Sequence, residues 1–357
     1  MTAGNALAGR RVLITGHTGF KGGWLALWLQ GIGAEVHGLA LDPDTDPSLF
    51  AATGLGGLLT ADLRCDIRDA AALAAALRQT DPEVIFHLAA QPLVRRSHDA
   101  PLDTFATNTM GTANLLDACR ALPRLRAVIC VTTDKVYDNR EWQWPYRESD
   151  ALGGGDAYAA SKAAAELVTG AYARAHLGPR GISVHTARGG NVIGGGDWSE
   201  DRLVPDLARA WAGGGPLRLR NPQSVRPWQH VLCLCHGYLA LADRALAGDI
   251  GAQGAWNFGP DTGGHLSVAG LLKLFAAVAP VPPVDAAEPD GKPESTLLAL
   301  DSSRARALLG WQPALDIGDA ARLTAEWYRA ARAGGDMLAI TRAQIADYRA
   351  ALARGQT

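Results

Sequence analysis

Tyr158 and Lys162, four residues apart, are the side chains whose spacing most directly indicates chemistry. Residues at this separation lie on one face of a helix, so the lysine ammonium can stabilise the charge of an ionised phenol. A phenol that ionises near neutral pH is a suitable base for removing the proton of an alcohol. The upstream segment Thr132-Thr133-Asp134-Lys135 adds a carboxyl group and a second amine.

A glycine loop near the start of the chain indicates a nucleotide site. The pattern Gly16-x-x-Gly19-x-x-Gly22 follows one predicted strand and precedes a predicted helix, which is the context of a dinucleotide-binding turn. Glycines there allow positive φ and let the backbone and the helix N-terminus approach a pyrophosphate. The alternative is a simple tight turn between strand and helix. We predict that the cofactor contacts Gly16, His17, Gly19, Phe20, Lys21 and Gly22.

Later strand ends predict further cofactor contacts. Asp42 follows the second predicted strand, where a carboxylate accepts hydrogen bonds from the adenosine ribose, and this favours NAD over a 2′-phosphorylated cofactor. Its alternative role is a turn cap within Asp-Pro-Asp. Asp66 and Ile67 could edge the adenine, and the small-residue segment Leu88-Ala89-Ala90 would let a cofactor lie close. Packing is the alternative for both segments.

Composition favours a globular protein with small-molecule partners. The 357 residues are 48% hydrophobic with a formal net charge of −2, which argues against a nucleic-acid or membrane surface. No apolar segment has the length of a signal peptide or a membrane span. Five scattered cysteines suit buried thiols in a reducing cytoplasm, and no histidine has metal-ligand spacing. We therefore expect a cytoplasmic protein without a metal.

Short apolar runs alternate with helical patterns in the first half of the chain, which predicts a parallel sheet covered by helices on both faces. With the glycine loop, this gives a Rossmann-type doubly wound α/β fold and a smaller, mostly C-terminal, substrate-binding lobe. Residues 1–192 form the predicted dinucleotide-binding domain, and 229–260 return to it. Residues 193–228 and 261–357 form the predicted second lobe. The predicted strands are Val12–Thr15, Val36–Leu41, Val84–Ala90, Ala127–Thr133, Ser183–Ala187 and Ala255–Gly259.

The combination of motifs resembles the extended short-chain dehydrogenase/reductase family, in its nucleotide-sugar branch. The resemblance implies that Tyr158 is the base at the sugar C4 hydroxyl. It implies that Lys162 lowers the pKa of that phenol and holds the nicotinamide ribose. A threonine would hydrogen-bond the same hydroxyl; Thr132 is favoured over Thr133, because the step from Thr132 to Asp134 matches the family's Thr-x-Asp spacing.

The pair Asp134-Lys135 narrows the expected activity. A reductase or C4-epimerase has no use for an added acid and base, whereas a 4,6-dehydratase does. In related dehydratases the aspartate protonates the departing C6 hydroxyl and the next residue assists removal of the C5 proton. That residue is Glu in the dTDP-glucose enzymes and Lys135 here. The alternative is that Asp134 caps a turn and Lys135 is a surface charge.

The segments at 16–22, 89–97, 187–198 and 225–231 extend the resemblance over most of the chain. They imply CDP-glucose as substrate and CDP-4-keto-6-deoxyglucose as product, through an internal NAD redox cycle. Trp198 and Trp228 are candidates for stacking on the base. By resemblance, the nucleotide-sugar site is lined by Gln91, Asn191, Arg202, Arg226 and His230.

The sequence also predicts an oligomer, and it leaves two other activities open. The helices predicted at Thr104–Ala121 and Ala157–His176 would form the seam of a homodimer or homotetramer, if the family pattern holds. One alternative activity is a nucleotide-sugar C4-epimerase or reductase on the same scaffold. The other is a non-catalytic dinucleotide-binding protein, since a fold does not by itself imply activity.

Overall fold

The computed structural model of the protein describes residues 3–219, 221–251, 253–286 and 297–354. Its centre is a seven-stranded parallel sheet in the order β11-β6-β5-β4-β1-β2-β3. This sheet comprises β1 (Arg11–Thr15), β2 (Glu35–Ala40), β3 (Ala61–Arg64), β4 (Val84–His87), β5 (Ala127–Val131), β6 (Ser183–Gly189) and β11 (Gln253–Phe258). The short strands are β7 (Val192–Ile193), β8 (Leu217–Leu219), β9 (Val225–Pro227), β10 (Gln229–His230), β12 (His265–Ser267) and β13 (Val284–Ala286).

Helices cover both faces of the sheet. In chain order, the α-helices before the middle of the chain are α1 (Phe20–Gly31), α2 (Leu49–Ala52), α3 (Ala70–Thr80), α4 (Val94–Asp99), α5 (Pro101–Phe105), α6 (Gly111–Cys119) and α7 (Ala157–Tyr172). The later ones are α8 (Leu203–Gly213), α9 (Val231–Ala247), α10 (Val268–Val278), α11 (Ser303–Leu309), α12 (Ile317–Arg332) and α13 (Met337–Arg354). One turn of π-helix, Ala106–Met110, joins α5 to α6, and another, Ala173–Leu177, follows α7.

The strands are apolar on both faces because the sheet is buried between two helical layers. Along β1, Val12 and Ile14 pack into the larger core, whereas Leu13 packs into the core on the opposite face. The same two-residue alternation continues in β4, where Ile85 faces the smaller core, and in β5, where Val128 does so. This arrangement confirms the predicted doubly wound fold class.

The strand order reverses direction between β1 and β4, since β2 and β3 lie on one side of β1 and β4 to β6 on the other. Open α/β sheets bind ligands in the crevice at the carboxyl ends of the strands beside such a switch point. The glycine loop follows β1 and the segment Thr132 to Lys135 follows β5. The topology therefore places both motifs along the same edge of the sheet.

The late strand expected near 255–259 is confirmed, because β11 pairs in parallel with β6. Outside the large sheet, β10 pairs with β7, β12 with β9 and β13 with β8. The predicted division into two lobes remains a prediction. Sequence patterns did not predict α12 and α13, which lie in the C-terminal part of the chain. In the part of the chain described, no helix is long and apolar enough to cross a membrane, and no three potential metal ligands cluster.

Candidate active site

The glycine loop forms a cradle at the carboxyl end of β1. Gly16 has φ +79°, and a Cβ there would lie 2.7 Å from the Ala89 amide nitrogen. A Cβ at Gly22 would overlap the Gly16 carbonyl oxygen. Helix α1 begins directly after Gly19 without a side-chain cap, so the first N–H groups of the helix are free to receive an anion. The loop thus fits the pyrophosphate of a dinucleotide such as NAD.

The second strand end holds a network of charged groups. The Asp42 carboxylate is 85% exposed and accepts a hydrogen bond from Arg64 Nε at 2.7 Å. Arg64 also pairs with Asp62, which in turn lies 2.7 Å from His17 Nε2. Burial acts to raise the pKa of Asp62, but its hydrogen bonds with Arg64 and His17 lower it overall. Arg64 is neutralised by two carboxylates, and this disfavours a cofactor that carries an additional phosphate.

Four predicted cofactor residues act partly in packing. The His17 ring is buried and fills the space that a Cβ at Gly38 would need. Asp66 accepts hydrogen bonds from the backbone and guanidinium of Arg68. Ile67 packs against Gly111, and the Ala89 amide donates to Thr15 Oγ1 at 3.2 Å. Their contacts with a cofactor remain predictions.

A cavity of about 280 Å³ adjoins this loop at the ends of β5 and β6. Its wall brings together residues that lie up to 247 positions apart in the sequence, since Lys21 and Val268 both line it. The sequence-predicted residues that line the cavity are Lys21, Asp134, Lys135, Tyr158, Asn191, Arg202 and Arg226. Lys162 lies behind the wall, where its Nζ donates to the Val131 carbonyl at 3.4 Å.

Helix α7 positions the tyrosine and the lysine. Its first turn is capped by Asp156, whose carboxylate accepts from the Ala159 amide at 2.8 Å. Burial raises the pKa of Tyr158 to about 12, although Thr133 and Arg202 oppose that change. In the protein alone, burial therefore opposes ionisation of the phenol, and its ionisation near neutral pH with cofactor and substrate bound remains a prediction. The physical reason is desolvation of the phenolate, which the surrounding groups do not offset.

Asp134 follows β5 and is almost completely buried. Burial raises its pKa, although Lys135, the Thr133 hydroxyl, Arg226 and Lys21 all act to lower it. In the described part of the chain, no donor reaches its Oδ2 atom. Gly190 leaves room beside that oxygen, because a Cβ there would lie 3.2 Å from it. This arrangement suits a protonated carboxyl group that serves a substrate as an acid.

Thr133, not Thr132, is the threonine of this site, so the preference for Thr132 is corrected. Adjacent residues of an extended segment point to opposite sides. Thr132 Oγ1 donates to Glu166 at 2.5 Å, away from the cavity. Thr133 lines the cavity, hydrogen-bonds the Tyr158 phenol and donates to Asp134 Oδ1 at 3.0 Å. The Thr-x-Asp spacing alone could not show which side chain the buried carboxylate of Glu166 would bind.

Two lysines, the half-buried Lys21 and the buried Lys162, lie near one another at the junction of loop and cavity. Burial lowers the pKa of Lys21 to about 8, and Arg202 acts in the same direction. Burial also lowers the pKa of Lys162 to about 8, with repulsion from Lys21 as the second cause. Sequence reasoning assigned Lys21 to the cofactor. It did not anticipate that the ammonium enters the cavity near Asp134, because a lysine beside a glycine loop gives no signal of direction.

The predicted substrate residues divide into two groups. Asn191, Arg202 and Arg226 line the cavity, where Arg202 Nη1 donates to the buried carboxylate of Asp197 at 3.0 Å. Asp197 is a site residue that the sequence did not reveal, because a Gly-Gly-Asp-Trp turn has no distinct chemical signal. Trp228 also lines the cavity.

His230 does not line the cavity, so its assignment to the nucleotide-sugar site is corrected, whereas Gln91 adjoins Pro92 of the cavity wall and its place near the hexose remains a prediction. The Gln91 amide holds its own loop, donating to Thr104 Oγ1 and accepting from the Leu93 amide. His230 is fully buried, accepts a hydrogen bond from the Leu232 amide and packs edge-on against Trp24. It caps α9. Trp198 packs against Tyr328 rather than lining the cavity.

Fold and site together define a dinucleotide-dependent enzyme scaffold with a tyrosine, a lysine and a buried acid at the end of the crevice. The chain belongs to the NAD dependent epimerase/dehydratase family, whose sequence model matches residues 12–259. It is 40% identical over 356 residues to a CDP-glucose 4,6-dehydratase of Salmonella typhimurium, covering 98% of this chain and 99% of that protein.

Two further similarities agree with the family. A dTDP-glucose 4,6-dehydratase of Streptomyces griseus is 32% identical, with 89% of this chain and 93% of that protein covered. The crystal structure of a dTDP-glucose 4,6-dehydratase from Streptomyces venezuelae, solved with NAD bound, superposes with a TM-score of 0.74 at 27% identity. That superposition covers 92% of this chain and 99% of the other.

Proposed function

We propose that this chain is a nucleotide-sugar 4,6-dehydratase that converts CDP-D-glucose to CDP-4-keto-6-deoxy-D-glucose and water. The observation that carries the proposal is Asp134, a buried carboxyl group with a raised pKa and an unpartnered oxygen in the same cavity as Tyr158. Simple hydride exchange at C4 needs Tyr158 and Lys162 but has no use for this acid. Elimination of a C6 hydroxyl requires one.

The first step falls to Tyr158 and its neighbours. NAD held at the glycine loop and the N-terminus of α1 would supply the hydride chemistry, as acceptor for C4 and donor for C6. Tyr158 removes the proton of the C4 hydroxyl, which Thr133 helps to hold in place. Lys162, one helical turn after Tyr158 on α7, favours the ionised form of the phenol electrostatically. The ketone formed at C4 makes the C5 hydrogen acidic.

Asp134 and the amines around it catalyse the elimination. Asp134 gives its proton to the C6 oxygen, which leaves as water while the C5–C6 double bond forms. Lys135 lines the cavity next to Asp134 and removes the C5 proton. Lys21 and Arg226 act on the Asp134 carboxyl electrostatically, so they stabilise the carboxylate that remains after the proton has left. The Lys135 ammonium formed in this step then gives a proton back to C5 as C6 receives the hydride.

Binding of the nucleotide sugar falls to the positive residues of the cavity. Arg202 and Arg226 can each present a planar fork to the oxygens of the diphosphate. Both lie in 193–228, which supports the predicted second lobe of 193–228 and 261–357 around the sugar nucleotide. The cofactor would be held by 1–192 together with 229–260. The choice of cytosine as base rests on the similarity to the Salmonella enzyme.

Mass spectrometry of the product tests the proposal. Purified protein is incubated with CDP-glucose in heavy water, beside dTDP-, UDP- and GDP-glucose. Loss of one water with one solvent deuterium at C5, for CDP-glucose alone, supports both the activity and the base. An isomer of unchanged mass would instead indicate a C4-epimerase. Unchanged substrates with NAD bound would indicate a reductase or a non-catalytic binding protein.

We further propose that α5, α6 and α7 form the seam of a homodimer, which can assemble further into a homotetramer. Helix α7 packs against both α5 and α6. Leu102 on α5 is 83% exposed, Met110 in the π-helical turn between α5 and α6 is 57% exposed, and Leu167 on α7 is 65% exposed. Large exposed apolar side chains on neighbouring elements are typical of an interface.

Light scattering coupled to size exclusion tests this seam. Leu167→Glu should convert the wild-type dimer to a monomer, because it places a charge within the apolar surface. Leu308→Glu is the matched control, since Leu308 is 50% exposed but lies on α11. A wild-type monomer, or a Leu167→Glu dimer as stable as the control, contradicts the seam.

A further inference from the structure

A buried ion pair lies directly behind the catalytic groups. Glu166 is on α7, four residues after Lys162 and eight after Tyr158, so all three share one face of the helix. Arg188 is near the end of β6. The two side chains are 4% and 3% exposed, and Arg188 Nη2 lies 2.9 Å from Glu166 Oε2.

The Glu166 carboxylate has a full set of donors. Oε1 accepts from Thr132 Oγ1 at 2.5 Å and from Arg188 Nε at 2.9 Å. Oε2 accepts from Thr186 Oγ1 at 2.6 Å and from Arg188 Nη2 at 2.9 Å. These four bonds join α7 to the end of β5 and to two positions of β6. The position of α7 relative to the sheet edge is therefore fixed in several directions at once.

Arg188 extends the network to the segment that follows the catalytic acid. Its Nη1 donates to the Tyr137 hydroxyl at 2.8 Å, and its guanidinium lies over the Tyr137 ring. The Tyr137 hydroxyl donates to Asn257 on β11 at 2.7 Å. Tyr137 comes two residues after Lys135. One ion pair thus connects the helix of Tyr158 with both sides of the segment that carries Asp134.

The bond from Thr132 to Glu166 decides which threonine faces the substrate. When the carboxylate binds Thr132 beneath the cavity, the next side chain, Thr133, must point to the opposite side. It is there that Thr133 hydrogen-bonds the Tyr158 phenol and Asp134. Without this bond, the turn could rotate and withdraw Thr133 and Asp134 from the cavity.

Stability does not require charge at this position. A buried ion pair gains little over apolar side chains of similar volume, because desolvation offsets the attraction. Charged hydrogen bonds, unlike apolar packing, fix the orientation of the side chains that they join. We propose that Glu166 and Arg188 are positioning residues, which hold Tyr158, Lys162, Thr133 and Asp134 in their mutual geometry. The expected effect on turnover rests on the proposed function; the effect on NAD binding does not.

The paired variant Glu166→Met with Arg188→Met tests the proposal without leaving an unpaired buried charge. Its melting temperature should stay close to that of the wild type. The kcat for CDP-glucose should fall at least about tenfold, because small misplacements of catalytic groups are costly. KM should change less than about twofold, since Arg202 and Arg226 are untouched. A kcat and an NAD+ Kd both within twofold of wild type overturn the proposal.

Two single variants at Thr132 test the positioning role even if the double variant fails to fold. Thr132→Val removes the hydroxyl that binds Glu166, and Thr132→Ser restores it. Thr169→Val is the matched control, because the Thr169 hydroxyl is also buried on α7 but donates to the Ala165 carbonyl at 2.7 Å. The proposal expects Thr132→Val to lower kcat about tenfold, with rescue by Thr132→Ser and little effect of Thr169→Val. Equal effects of both valine variants, or no rescue, contradict it.

Calorimetric titration with NAD+ separates failure of this proposal from failure of the proposed function. Lys162 shares the helix of Glu166 and is assigned to the nicotinamide ribose, so displacement of α7 should weaken NAD+ binding severalfold. That measurement needs no sugar substrate. A wild type that binds NAD+ but leaves CDP-glucose unchanged contradicts the dehydratase. The paired variant is then judged on NAD+ Kd alone, and an unchanged Kd overturns the positioning role.

Discussion

At the adenosine end of the crevice, charged side chains lie near solvent and neutralise one another, whereas at the reaction end they are buried or half-buried and face the cavity. Asp42, Asp62 and Arg64 form a paired group of the first kind. Asp134 and Lys21 are of the second kind. Both regions lie at the same edge of one sheet, so the difference comes from burial rather than from fold.

This difference in burial leads to pKa changes that favour a charged group at the adenosine end and neutral groups at the reaction end. Pairing lowers the pKa of Asp62 and so favours its carboxylate, despite the opposing effect of burial. At the reaction end, burial raises the pKa of Asp134 and lowers that of Lys21 and Lys162, and each change favours the neutral form. Fixed charges suit recognition of ribose hydroxyls. Groups held near a neutral form can exchange protons with a substrate.

The largest expected effect comes from removal of the phenol at the reaction end. Tyr158→Phe should lower kcat about 10³-fold, since the proposed base for the C4 proton is lost. NAD+ Kd should change little, because the hydroxyl alone is removed. Steady-state product formation and calorimetric titration measure the two quantities. A variant that keeps a tenth of the wild-type kcat contradicts the role of Tyr158 as the base.

Removal of the acid should uncouple the two halves of the reaction. Asp134→Asn keeps the shape but cannot give up a carboxylic proton, so the rate of water loss should fall about 10²-fold. Oxidation at C4 should continue, and absorbance at 340 nm should then rise and persist after substrate is added. An unchanged rate of water loss would contradict the role of Asp134 as the acid in the elimination. Loss of the 340 nm signal as well would show general damage to the site.

Removal of the Lys21 ammonium should change the pH dependence of the elimination without abolishing activity. Lys21 acts to lower the pKa of Asp134, so Lys21→Met should let that carboxyl keep its proton to higher pH. Because the acid works when protonated, the loss of elimination rate at high pH should move to still higher pH, with a rate change below about tenfold at neutrality.

Single-turnover rates of deuterium incorporation against pH measure the effect of Lys21→Met. Lys273→Met is the control, as Lys273 is exposed on α10. An unmoved high-pH limb in Lys21→Met, identical to the control, would show that the Lys21 ammonium does not act on Asp134.

The sequence predicted the fold well because its signals are local and repeated. Apolar runs and the glycine loop depend on neighbouring residues, and together they predict a parallel sheet covered by helices, whereas the strand order came from the structure. The loop, Tyr158 and Lys162 were therefore found by spacing. Resemblance added Asp134 and Arg226, which the structure brings to the same cavity.

Side-chain direction was the part that the sequence could not supply. Thr132 and Thr133 are chemically identical, and the choice between them depends on Glu166, more than 30 residues later. His230 was expected at the substrate, but it is fully buried, caps the start of α9 and contacts Trp24. The ionisation of Tyr158 likewise depends on desolvation, which is a property of the whole site. Each of these requires contacts between residues that are distant in the chain.

The smallest expected effect comes from the adenosine end, where exposed groups are individually weak. Asp42→Ala removes an acceptor for the ribose hydroxyls and should raise the NAD+ Kd about fivefold to tenfold, equivalent to about 1 kcal/mol. It also removes one partner of Arg64, whose guanidinium would then be more available to a 2′-phosphate, so NADP+ should bind more tightly than to the wild type. At saturating NAD+, kcat should not change, because no group in the cavity is altered.

Asp44→Ala is the control, since Asp44 is a neighbouring exposed acid that pairs with Arg96 instead. Equal Kd values for the two variants, or an NADP+ affinity that does not rise, would mean that this end of the crevice does not select the cofactor through Asp42.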